Sequence, residues 1–297
     1  MLLIKYFRII NAKLYSILGS EVSSNLAMSP LGTWLFKLLL GKSHVLQVYE
    51  GMDGIKLKLT PEEANVLGFF HMGVINPLES GFLKKHLTKG ETFIDVGAYV
   101  DGWYSLLAAR VVGKTGKVYS FEPHPKYYAR LVENIQLNNY SNVTSEKLGL
   151  SNKSGKRTFY EAESISSFYE KNSTQVTSQV VPLTINITSL DAYIAKHKIA
   201  KIDLVKIDVE GAEMEVLRGA IKLLSRKDAP DLIIEVIDQY LKNAGTSKVE
   251  LMNFLTNLKY HPFVFTSLGI EKYSDHPEKN QDYNLFFQKE INSRARL

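Results

Sequence analysis

Four short runs, TFIDVG (92–97), GKVYSFE (116–122), KIDLVKIDVEG (201–211) and DLIIEVI (231–237), are apolar at both alternating sets of positions, and helix-type segments stand between them. A strand that is apolar on both faces must be covered on both faces. Joining such strands through helices gives a parallel sheet between two helical layers, so the chain reads as an α/β protein. Ligands of such sheets bind beyond the carboxyl ends of the strands. Those ends are therefore the place to look for function.

The helices follow from the same pattern. Trp103–Val112, Pro125–Asn138, AEMEVLRGAIKLL and Lys248–Leu258 have helical spacing, and Asn142–Leu148 reads as a third strand. TSLDAYIAKH starts a further helix, with Thr188 as its expected N-cap and Asp191 in its first turn. Ser154–Leu183, rich in Ser and Thr, reads as a hairpin insertion with a mobile tip, and Phe263–Thr266 and Tyr283–Phe287 as closing strands. The first part of the chain differs. Val45–Thr60 alternates around Gly51 and Gly54 and predicts a hairpin, and Pro61–Phe70 and Pro77–Leu87 predict short helices. We divide the chain into an N-terminal helical and hairpin extension (1–80) and a main domain (81–297).

With 297 residues, 45% of them hydrophobic, the chain can bury one large core or two modest ones. It has no cysteine. Disulfides, thiolate metal sites and a cysteine nucleophile are excluded, and a reducing, cytoplasmic setting is expected. No metal-ligand set is read from the sequence. The net charge of +5 is spread along the chain and reads as a solvated surface rather than a nucleic-acid footprint. No run reaches the roughly 20 apolar residues needed to span a bilayer. The opening MLLIKYFRIINAKLYSIL intersperses Lys5, Arg8 and Lys13 among apolar residues and lacks a cleavage pattern. It suits either an amphipathic helix on a membrane surface or a helix packed on its own domain or on a second copy in a homodimer.

The strand ends carry acids. Asp95 lies near the end of the first run, two residues before Gly97, where the backbone can approach a ligand closely and the next helix offers free N–H groups. A carboxylate before the first glycine suits a cationic ligand, an ammonium or a sulfonium, better than a pyrophosphate. The alternative is a tight structural turn in which Asp95 caps local amides. Glu122 ends the second run in FEPHP, one βαβ unit further on, where an acid can accept both ribose hydroxyls of an adenosine. Asp208 and Glu210 end VKIDVEG, and Glu213 reads as a first-turn acid of the following helix. His124 and Glu235 also sit at strand ends, where a structural role is the simpler reading.

FIDVGA with YSLLAA, KVYSFEPHP, LGLSN, TSLD and above all VKIDVEGAEMEVLRGA resemble the FkbM-type family of S-adenosylmethionine-dependent methyltransferases, over about Thr60 to Phe287. The resemblance implies a class I methyltransferase, Rossmann-like fold with a seven-stranded sheet in the order 3-2-1-4-5-7-6, strand 7 antiparallel. It implies S-adenosylmethionine as cofactor, held by Asp95, Gly97, Ala98, Tyr99, Asp101 and Gly102 along the methionine, by Glu122 and Pro123 at the ribose, and by Lys147, Leu148 and Gly149 near the adenine. Asp208 matches the acid near the methyl group. Asp208, then Glu210 and His124, are the candidate bases for a hydroxyl acceptor. The family commonly places Asn and Gly where Tyr99 and Asp101 stand, with the glycine here one place later at Gly102. The turn is therefore expected to carry an extra residue, with Asp101 pointing at the ligand or the loop bulging away.

The family implies oxygen methylation of a small-molecule or glycan acceptor: a sugar, glycolipid or natural product. The Ser/Thr-rich insertion and Tyr6, Tyr15 and Tyr49 are candidates for facing such an acceptor. An RNA methyltransferase lacks a basic-aromatic patch here, and DNA is not expected, because only Asn76-Pro77 matches the start of the amino-methylating motif. A nicotinamide oxidoreductase would need G-x-G-x-x-G, which is missing. A catalytically silent scaffold binding an adenosine ligand is the remaining rival.

Overall fold

A computed structural model of the protein describes residues 46–51, 53–60, 73–161, 167–170, 172, 180–274 and 283–289. The N-terminal helical patterns, the helix expected at Pro61–Phe70 and the tip of the insertion lie outside the described residues.

The parallel strands are β3 (Thr92–Val96), β4 (Lys117–Phe121), β5 (Val143–Glu146), β9 (Leu204–Ile207) and β10 (Asp231–Val236). With β11 (Tyr260–Thr266), β12 (Gly269–Lys272) and β13 (Tyr283–Lys289) they form one sheet in the order β12-β11-β13-β10-β9-β3-β4-β5. β13 is antiparallel to both β10 and β11. Numbered from β3 as the first strand, the order runs 3-2-1-4-5-7-6, and β12 adds an eighth strand at the edge as a hairpin with β11.

β1 (Gln47–Glu50) and β2 (Lys56–Leu59) form the expected antiparallel hairpin. It is tied to helix α3 (Pro125–Leu137) and its C-cap through Asn134 and Asn138, whose amides bond the backbone of Lys58 and Lys56. β7 (Gly155–Glu161) and β8 (Val181–Thr188) pair along their whole length, and β6 (Gly149–Leu150) joins β8 in parallel. The insertion is thus a small sheet of its own. The third strand ends at Glu146, earlier than its sequence suggests, because Gly149 and Leu150 are recruited to that second sheet.

Period-two alternation assigns each strand's faces. Phe93, Leu204, Ile233 and Phe286 point into a core shared with helix α1 (Pro77–His86) and helix α2 (Trp103–Val112). Ile94, Val96, Val205, Ile207, Leu232 and Ile234 point into the other. That second core is covered by α4 (Leu190–His197), α5 (Glu213–Gly219), α6 (Ile221–Leu224), α7 (Asp238–Asn243) and α8 (Lys248–Asn257).

Two local expectations are corrected. The N-cap of α4 is Ser189, whose side chain accepts from Ala192 N; Thr188 is the last residue of β8. The helix expected across AEMEVLRGAIKLL breaks at Ala220 into α5 and α6, and Asp191 caps the second piece by accepting from the N–H groups of Lys222 and Leu223.

Candidate functional site

The carboxyl ends of β3, β4, β9 and β10 open into a cavity of about 430 Å³. That volume falls within the usual range for small-molecule sites. On the α2 side of the sheet one rule builds its floor. β3, β9 and β10 each carry an apolar residue low on that face and a polar one two places on: Phe93 then Asp95, Leu204 then Lys206, Ile233 then Glu235. On antiparallel β13 the pair is Phe286 and Asn284, which brings Asn284 to the same edge. Register locks them together: Asp95 lies opposite Lys206, and Glu235 opposite Asn284.

Asp95 is 1% exposed. Its Oδ2 accepts from Ser105 Oγ of α2 at 2.6 Å, and its Oδ1 is buried with no hydrogen-bond partner. Burial raises its pKa, while Lys206 and the Ser105 bond oppose the rise. Gly97 follows with φ +88, and a Cβ there would stand 1.8 Å from the Asp208 carbonyl oxygen. Gly97 N and Ala98 N both donate to Phe121 O, which draws the turn over the end of β4.

The altered turn keeps its shape in an informative way. Tyr99 takes a left-handed φ of +56 and donates its N–H to Glu122 Oε2 at 3.0 Å. Asp101 is 5% exposed, lines the cavity and turns Oδ1 back to accept from Trp103 N at 2.9 Å. It therefore caps α2, and the extra residue is absorbed at the helix start. Gly102, at φ +59, faces Leu131 rather than the cavity.

Glu122 accepts from Tyr99 N and from His124 N, one bond to each oxygen. Burial pushes its pKa up to about 7 against those two bonds. The carboxylate is thus fixed in direction and retains lone pairs for further donors. Phe121, Pro123, Tyr127, Leu148, Gly149, Phe159 and Phe168 continue the wall as a largely apolar slot, with Tyr99 edge-on to Tyr127 at 5.0 Å.

Directly across the β3–β9 ladder from Asp95 stands Lys206, 2% exposed, a residue the sequence reading passed over. Its ammonium donates to Asp208 Oδ2 at 2.7 Å and lies 4.6 Å from the Tyr104 ring centre. Burial works against its charge, but Asp208 and Asp95 outweigh burial and hold its pKa above the ordinary value. Glu210 sits at φ +53 beside Gly211 at φ +102. Glu213 folds back to accept from Val209 N and Gly211 N, which shapes that loop. Burial and then Asp208 and Glu213 push Glu210 up to about 8, and burial followed by Asp208 and Glu210 raises Glu235 well above the carboxylate range.

Of the site residues expected from sequence, Asp95, Gly97, Ala98, Tyr99, Asp101, Glu122, Pro123, Leu148, Gly149, Asp208 and Glu210 line this one cavity. Three do not. Lys147 is exposed on the surface, and Gly102 serves the helix start. His124 is the N-cap of α3: its Nδ1 accepts from Tyr127 N and its Nε2 lies 3.3 Å from Glu161. Besides Lys206, the residues missed were Tyr104, Asn76 and Asn284; Asn76 Nδ2 donates to Tyr104 OH, and Asn284 Nδ2 donates to Glu79 Oε1 of α1.

An acid-bearing glycine turn after the first strand, an acid at the end of the second and a parallel sheet with β13 inserted in reverse between β10 and β11 define a class I methyltransferase fold. The Methyltransferase FkbM domain matches residues 95–262, and the chain belongs to that family, whose methyl donor is S-adenosylmethionine. Hexuronic acid methyltransferase AglP of Haloferax volcanii is 30% identical over 151 residues, which cover 51% of this chain and 57% of that protein. Methyltransferase sdnD of Sordaria araneosa is 27% identical over 202 residues, covering 54% and 76%. The chain thus spans little more than half the length of the Haloferax protein. The crystal structure of methyltransferase FkbM from Methylobacillus flagellatus KT is 18% identical, with a TM-score of 0.47 over 75% of this chain and 52% of that one. Among the described residues, no helix is long and apolar enough to cross a membrane.

Proposed function

We propose that the protein methylates a hydroxyl of a polar, polyhydroxylated acceptor, a sugar in a glycan or glycolipid or a similar natural product, using S-adenosylmethionine. The observation that carries this reading is the division of one cavity into two chemistries that meet at Asp208. One end has a buried, unpartnered acid oxygen on Asp95, the fixed carboxylate of Glu122 and the apolar slot. The other is lined by Tyr104, Asn76, Asn284, Lys206, Glu210 and Glu235, a hydrogen-bonding surface suited to hydroxyls.

The residues fit the cofactor. The free oxygen of Asp95 suits an ammonium, Glu122 suits two ribose hydroxyls, and the slot formed by Leu148, Gly149, Phe159 and Phe168 suits a purine. When bound, S-adenosylmethionine supplies an electrophilic methyl group on a sulfonium. The chain's part is chiefly alignment, since a held near-attack geometry lowers the barrier by roughly 7–11 kcal/mol at most. Lys206 fixes Asp208 through a 2.7 Å bond, and Asp208 is the group assigned to receive the hydroxyl proton, with Glu210 next to it.

Isothermal titration with S-adenosylhomocysteine, with NAD as control, tests the cofactor half. Micromolar binding of the first alone supports it, and binding of NAD alone overturns it. Transfer of labelled methyl to hexuronic and neutral glycans tests the acceptor half. Under this reading Asp208→Asn retains S-adenosylhomocysteine binding and loses turnover.

A further inference from the structure

Asp208, Glu210 and Glu235 each bring one carboxylate oxygen to a common point, and the three oxygens lie within 4.8 Å of one another. Oxygens bound to one Mg²⁺ or Ca²⁺ at about 2.1–2.5 Å stand at most roughly 4–5 Å apart, so small side-chain adjustments let one ion reach all three. Asp208 and Glu210 come from the loop that follows β9 and Glu235 from the end of β10, so the register of two adjacent strands brings the third acid to the other two.

A second observation concerns the polar atoms beside them. Glu210 Oε2 is withdrawn from solvent to less than 1 Å² and makes no hydrogen bond. On β13, Asn284 is the direct cross-strand partner of Glu235, so the two side chains share a face. The bond from Asn284 Nδ2 to Glu79 fixes the amide, and its Oδ1 is likewise buried with no donor. Unpaired buried oxygens are costly; here one belongs to the carboxylate cluster and another stands on the strand beside it. Lys206, engaged with Asp208, stands beside the cluster. A hard, oxygen-seeking cation matches the geometry and gives the open oxygens a partner.

We propose that Asp208, Glu210 and Glu235 bind a divalent cation of the Mg²⁺ or Mn²⁺ class at the polar end of the cavity, with Asn284 Oδ1 beside it. The site goes beyond methyl transfer and its existence does not depend on that reading. If the acceptor reading also holds, a cation here gives hydroxyl oxygens a coordination partner.

The test uses the full chain, stripped with EDTA and titrated with Mn²⁺ while free Mn²⁺ is followed by electron paramagnetic resonance. One Mn²⁺ should bind per chain and be displaced by Mg²⁺. Glu235→Gln and Glu210→Gln should each weaken binding at least tenfold while S-adenosylhomocysteine still binds, which separates failure of the cation site from failure of the cofactor reading. A second measurement needs no variant. Tb³⁺ should show emission excited through the cavity's Trp103 and Tyr104, and Mg²⁺ should suppress it. No saturable Mn²⁺ binding to the wild type, binding in both variants as tight as in the wild type, or Tb³⁺ emission that Mg²⁺ leaves unchanged would each overturn the site.

Discussion

Gly97 and Asp208, far apart in sequence, touch so closely that a single added carbon cannot fit between them: a Cβ on residue 97 would stand 1.8 Å from the Asp208 carbonyl oxygen. The contact sits directly above the ladder, where Asp208 N donates to Val96 O. The glycine turn after β3 and the acid loop after β9 are therefore one structural unit, and the distance between the two halves of the cavity is set there.

Gly97→Ala should consequently cost about 3 kcal/mol or more, since it adds strain at φ +88 to a clash with backbone that cannot swing aside. Urea denaturation measures it. Gly81→Ala is the control, in the interior of α1 with nothing within 4 Å of the new carbon. It should stabilise by roughly 0.5–1 kcal/mol. Equal effects at the two positions would show that the turn yields freely.

Glu122 leads to a pH prediction. Its pKa is raised from 4.5 to about 7, so folding takes up a proton between those values. Its contribution to stability is therefore greatest at low pH and declines as the pH rises through that window. Ligand hydroxyls favour the ionised form and should shift the balance the other way. Affinity for S-adenosylhomocysteine should rise with pH, up to tenfold per unit below pH about 7, and level off above it. In Glu122→Gln the affinity should be low and flat with pH. A sloped profile in that variant would assign the titration to another group.

The fold was legible because buried parallel strands leave an unmistakable apolar signature, and acids at their ends stand out against it. Asp95, Glu122 and Asp208 all interrupt Val, Ile or Phe runs, and all three line the cavity. Lys206 interrupts one as well, in VKID, and was passed over because a single lysine in a strand reads as an edge or surface residue. The period-two rule held the missing signal: Lys206 is on the same face as Asp208, and a face buried by a helix can hold an ammonium only where carboxylates meet it. His124, the third candidate base, takes the structural role that was its simpler reading. It follows Glu122 directly and looks like part of the same strand end, but Pro125 starts α3 there and turns His124 into its cap. Tyr104, Asn76 and Asn284 were not legible, because they come from three elements whose meeting depends on how α1 and β13 pack.

Lys206→Met should be among the most damaging single changes. It removes the ammonium and leaves the buried Asp95 and the half-buried Asp208 without their counter-charge, a loss of about 3 kcal/mol. Asp95, already raised by burial and held down by Lys206, relieves the strain by protonation, so the loss should be smaller at pH 5.5 than at pH 8. Denaturation curves at the two pH values measure the difference. A loss independent of pH would mean that packing against Tyr104, rather than charge, is what Lys206 contributes.

Glu215 joins the insertion to the main domain. Its carboxylate accepts from Ser151 Oγ at 2.6 Å, from Tyr169 OH and from Arg157 Nη1, and the Arg157 guanidinium lies 4.4 Å from the ring centre of Phe168, which lines the cavity. Burial acts to raise the Glu215 pKa, yet the bonds from Ser151, Tyr169 and Arg157 outweigh it and hold the group below its ordinary 4.5. Its contribution is therefore fully present above that value and fades as the pH falls through the folded pKa. At neutral pH, Glu215→Ala should lower the local opening free energy of the β7–β8 hairpin by about 2 kcal/mol, which is roughly thirtyfold faster amide exchange in β7 and β8. Exchange in β3 and β4 should stay unchanged, because the parallel core does not depend on this anchor. Slow exchange retained in β7 and β8 would mean that the seven-residue register between these two strands holds the insertion in place by itself.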